Sequence, residues 1–186
     1  MSDTNVVTLV EAKEHLRVDV VDDDTYITGL ILGAVAYCEE RMKQCFLTTT
    51  VTKYLDRFPG CNYIEFDKSP LISVVYVKYT DYLGVVTTLP TTEYVVDTHS
   101  FVGKIVLAYG KSWPTTTLTT VNAIEIQTTA GYGAAAAVPQ MIKQAILLLI
   151  GHWYANREAV LIGTISKKIE MAVDDLLGLA GARVNV

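Results

Sequence analysis

From Thr48 onward the chain changes texture: Thr, Val, Tyr and Ile dominate, cut at short intervals by Pro59-Gly60, Ser69-Pro70, Gly84, Pro90, Gly103, Gly110 and Pro114. β-Branched and aromatic residues suit a pleated, half-buried surface, and turn residues this closely spaced leave room only for short strands. The pattern predicts antiparallel strands over Val51 to Phe58, Tyr63 to Phe66, Ser73 to Thr80, Val85 to Leu89, Lys104 to Ala108 and Ala123 to Thr128, with a hairpin loop at Asp81 to Gly84. The stretch Ala130-Gly131-Tyr132-Gly133 closes the region as a flexible joint.

The flanking segments keep a different period. Thr8 followed three residues later by Glu11 is a capping-box signature, opening a short helix through Leu9, Ala12, Leu16 and Arg17 that should end near Val18. Asp22, Asp23 and Asp24 precede Ile27, Leu30, Ile31, Ala34, Val35, Cys38 and Met42, spaced by threes and fours in a second helix ending near Gln44. Carboxylates ahead of a helix complement its dipole, which accounts for the three aspartates. Pro139 is well placed to start a third helix running to about Asn156, and a fourth spans Ile169 to Leu179.

This layout predicts an α+β fold, a helical base of two N-terminal and two C-terminal helices with an inserted small antiparallel β-domain. The expected parts are 1–47 and 134–181 for the base, 48–133 for the insertion, and 182–186 for an extended tail. The third helix carries Ile142, Ala145, Ile146, Leu149 and Trp153 on one stripe, but Leu147, Leu148, Ile150 and Tyr154 fill much of the rest. A helix this apolar needs neighbours on several sides. Leu147, Leu148, Ile150, Trp153 and Tyr154 are therefore candidates for contact with another subunit, with a central core helix as the alternative.

At 186 residues, 51% of them hydrophobic and 19% charged, the chain can bury a real core. The net charge of −5 lies wholly at the N-terminal end, where residues 1–47 hold nine acids against four bases. A protein that grips nucleic acid needs clustered Lys and Arg to displace counterions; this chain has no basic run, and its pI is near 5.1. Three cysteines, Cys38, Cys45 and Cys61, form no CxxC pair and suit free thiols in a reducing cytoplasm. No secretory signal opens the chain, and the apolar run Ala145 to Ile150 falls far short of the roughly 20 residues of a membrane span.

Motifs of catalysis are missing. His15, His99 and His152 stand apart without a second ligand at metal spacing, and the aspartate run lacks the glycine and distal glutamate of an EF-hand. There is no GxSxG elbow, P-loop, GxGxxG turn or HExxH helix. His152 reads as a hydrogen-bonded packing residue, and Tyr76, Tyr79, Tyr82 and Tyr94 as sheet-surface or interface aromatics. No catalytic residue, metal or cofactor is expected.

Taken in order, the segments Thr8-Leu9-Val10-Glu11-Ala12-Lys13-Glu14-His15-Leu16-Arg17-Val18, Tyr54-Leu55-Asp56-Arg57-Phe58-Pro59, Lys68-Ser69-Pro70-Leu71-Ile72-Ser73-Val74, Tyr94-Val95-Val96-Asp97 and Gly103-Lys104-Ile105-Val106-Leu107 form a recognisable series. It continues through Thr129-Ala130-Gly131-Tyr132-Gly133, Val138-Pro139, Ile142 to Leu149, and Gly151-His152-Trp153-Tyr154-Ala155-Asn156-Arg157-Glu158. Over nearly its whole length the chain resembles the head-tail connector (neck adaptor, head completion) proteins of tailed bacteriophages. Only Thr115 to Thr120 matches no segment of that pattern.

The resemblance implies a structural virion protein in the head-tail neck, made in the bacterial host cytoplasm. It implies a homo-oligomeric ring of about twelve copies beneath the portal protein. The ring would meet the next neck or tail-completion protein and continue the channel through which genomic DNA passes without specific binding. It also suggests that the tail, Arg183, Val184, Asn185 and Val186, docks on the portal by strand addition. The alternatives are a neck stopper or tail-completion protein and, from another class, a cytoplasmic ligand-binding module or hydrolase.

Overall fold

The computed structural model describes residues 5–157 and 167–182. Four helices and seven strands follow one another as α1 (Leu9–Leu16), α2 (Asp24–Met42), β1 (Thr49–Leu55), β2 (Tyr63–Glu65), β3 (Leu71–Thr80), β4 (Val86–Thr88), β5 (Tyr94–Asp97), β6 (Lys104–Leu107), β7 (Ile124–Ala130), α3 (Gln140–Ala155) and α4 (Lys167–Ala182). This is the α+β order expected, helices at both ends and antiparallel strands between. The chain divides into two compact units, one of residues 1–47 and 132–186, the other Thr48–Gly131.

In the helical unit, α1 starts where its capping box places it. Thr8 Oγ1 accepts from the Glu11 amide at 3.1 Å, and the Glu11 carboxylate accepts from the Thr8 amide at 2.7 Å. That backbone hydrogen bond from Thr8 is the main reason the Glu11 carboxyl titrates below its ordinary value. Left-handed caps at Arg17 (φ 57°) and Lys43 (φ 55°) stop α1 and α2, each returning its amide to carbonyls of the last turn. Thr8→Ala is expected to lower stability by about 1 kcal/mol, read from a urea unfolding curve.

The core of this unit is built on helical spacing. Ile27, Ile31, Ala34 and Cys38 of α2 meet Ile142, Ala145, Ile146, Leu149 and Ile150 of α3 and Val173, Leu177 and Ala180 of α4, with Ala12, Val6, Val7 and Phe46 completing it. The buried Cys38 thiol is pushed up to about 12 by desolvation, which makes it a packing group and a poor nucleophile.

The second unit holds a four-stranded sheet in the order β1-β7-β3-β4 and a three-stranded sheet in the order β2-β6-β5. β7 alternates as the period of two requires, burying Ile124, Ile126, Thr128 and Ala130. Register shifts between Leu71 and Ser73 and between Val74 and Tyr76 bend β3 along its length. Ile64, Tyr94 and Ile105 from the smaller sheet, with Phe66 just after β2, share one core with Leu71, Val77, Ile124 and Ile126 from the larger.

Two sequence expectations change here. β5 was not foreseen as a strand; its four residues follow a 3-10 turn at Thr91–Glu93 and owe their conformation to pairing with β6. Tyr94, expected at a sheet surface or an interface, is buried within the chain, because its position on β5 points into the shared core. Tyr82 is exposed as expected, while Tyr76 and Tyr79 are half-buried.

Candidate assembly surfaces

α3 is covered from within the chain. α1, α2 and α4 all pack on it, leaving Ile150 fully buried, Leu147 nearly so, and Leu148, Trp153 and Tyr154 half-buried against the same core. The apolar circumference that suggested a partner subunit is thus met largely by the chain's own helices. Periodicity could not distinguish the two, since three helices from one chain and three from several copies ask for the same residues. Arg183, Val184, Asn185 and Val186 lie outside the described residues.

What Trp153 and Tyr154 do is tie α3 to α2. The Trp153 ring stands edge-on to Tyr37, centroids 6.4 Å apart, and its edge approaches Gly33. Tyr154 donates its hydroxyl to Asp23 Oδ2 at 2.5 Å, and Arg157 donates to the same oxygen at 2.8 Å. The Arg157 guanidinium lies over both Tyr26 and Tyr154, 4.7 and 4.6 Å from the ring centroids. Asp23 therefore spends its carboxylate on a cross-helix clamp and makes no side-chain cap to α2. Asp24 likewise pairs with Lys13 of α1 at 2.6 Å. The aspartate run sits at a helix start as read from the sequence, but its side chains also join three helices.

The Tyr154 hydroxyl first, and then Arg157, hold the Asp23 carboxyl below its ordinary value. A depressed carboxylate contributes stability that is complete above the unfolded pKa, about 3.9, and is lost as pH falls through the folded value. Asp23→Asn should accordingly flatten the acid limb of the stability curve below about pH 4 and leave its neutral slope unchanged, measured by urea unfolding across pH. Glu11 and Asp97, also depressed, would retain their share of that limb.

The β3–β4 hairpin presents the densest exposed apolar cluster. Tyr82, Leu83, Val85 and Val86 are each more than half exposed. The loop is held by Asp81, whose Oδ1 accepts from the amides of Leu83 and Val85, both at 2.9 Å. The Thr115 to Thr120 stretch braces it: the Tyr82 amide donates to Thr117 and the Thr119 amide to Thr80, both at 3.1 Å. A loop of open role in the sequence is thus the support of a hairpin.

Catalytic geometry is weak by comparison. His15 comes alongside Gly151, one position before His152, a neighbourhood that spacing alone did not reveal. Among the described residues no three His, Cys, Asp or Glu side chains gather as a metal site. Two depressions, about 600 Å³ beside α1 and about 460 Å³ at Tyr37, Glu40 and Arg41, are open grooves. No helix among the described residues is long and apolar enough to cross a membrane.

No known protein family and no curated protein matches the sequence. Solved structures do match the fold. A chain from the neck of an empty gene transfer agent particle, computed with C6 symmetry, superposes with TM-score 0.75 at 22% identity, over 94% of this chain and 89% of that one. The fold is that of a chain in a phage-like particle neck. A chain of the native gene transfer agent virion gives TM-score 0.74 at 19% identity, over 92% and 89%. One from the native neck computed with C12 symmetry gives 0.68 at 19%, over 92% and 88%. These likenesses agree with the resemblance to head-tail connectors seen in the ordered segments of the sequence.

Proposed function

We propose that this chain is a structural subunit of a virion neck and not an enzyme. In this reading copies of it pack into a ring that joins the portal to the tail and continues the DNA channel. The observation that carries it is the fold likeness over 94% of the chain to a neck protein in an assembly of cyclic symmetry. The C12 symmetry of a second such neck supports a ring of about twelve. The helical unit would build the ring, and Arg183 to Val186 would dock on the portal.

The charge is compatible with that role. A channel wall dense in Lys and Arg would hold a moving genome by its phosphates, whereas this chain carries a net charge of −5. Exposed apolar groups concentrated at the hairpin and on the helices are what a subunit buries on assembly.

Electron microscopy of the chain mixed with the portal protein of the same phage genome tests the reading. Ring density beneath the portal is the expected result. Binding only to a later neck layer would make the chain a stopper or tail-completion protein, and failure to bind any virion protein would overturn the assignment. Deleting Arg183 to Val186 should abolish portal binding; retention of binding would remove the tail from the proposal.

A further inference from the structure

We draw no further inference here: the strongest candidate, the exposed apolar tip of the β3–β4 hairpin at Tyr82, Leu83, Val85 and Val86, is held in shape by Asp81, but nothing in the structure shows what covers it.

Discussion

Leu149→Ala should cost the chain about 2–5 kcal/mol, as expected for removing a large aliphatic side chain from a closed core. Leu149 is fully buried on α3, the helix that α1, α2 and α4 all contact. Its loss removes apolar burial and leaves a cavity whose walls come from several helices, so no single neighbour can move in to refill it. The effect reads as a lower urea midpoint with an unchanged m-value. A change under about 1 kcal/mol would mean that α3 is less enclosed than its burial indicates.

Gly103→Ala should be the most damaging single methyl addition in the β unit. Gly103 is buried just ahead of β6, and a Cβ there would meet the Leu71 side chain inside contact distance at its Cβ, with Cδ2 at 2.8 Å and Cγ at 3.0 Å. Leu71 cannot swing aside, because it is itself buried in the core shared by the two sheets. The Gly103 carbonyl also accepts from the Phe66 amide at 2.9 Å, so backbone displacement would strain the link to β2. Overpacking of this kind costs about 1–3 kcal/mol, measured by thermal or urea unfolding. Because the nearest clash is with the Leu71 Cβ, Gly103→Ala should cost less in a Leu71→Gly background than in the wild-type chain, which separates a clash from a general intolerance of the site.

The Gly103 contact shows where sequence reading stops. Gly103 stood in the sequence as one turn residue among several, and nothing near it announced Leu71, thirty-two positions away. The same holds for Asp23. Its place before an apolar helix predicted a dipole role, but the clamp with Tyr154 and Arg157 joins residues more than 130 positions apart. The capping box at Thr8, by contrast, was fully legible, because both of its hydrogen bonds lie within four residues.

Apolarity on α3 was legible in amount and silent on its partner. Leu147, Leu148, Ile150, Trp153 and Tyr154 required company, and a period of 3.6 says only that several sides must be covered. The missing information was the path of α4, whose Val173, Leu177 and Ala180 close over the same core as α3. Exposed apolar side chains of the helical unit, such as Val10, Val20, Val21, Met171 and Leu179, looked unremarkable in the sequence because isolated valines and leucines belong equally to cores and surfaces.

By itself, then, the sequence determined what depends on neighbours along the chain: helix starts and stops, the alternation of the strands, the order of helical and β segments, and the ordered series of segments that resembles head-tail connectors. Tertiary structure alone decided which apolar faces meet inside the chain and which stay open, where Asp23 and Asp24 send their charges, and what supports the hairpin at Tyr82. The division follows the range of the forces. Capping bonds and side-chain periodicity act over a few residues, whereas burial is a property of the whole packed unit and is settled only when every element is in place.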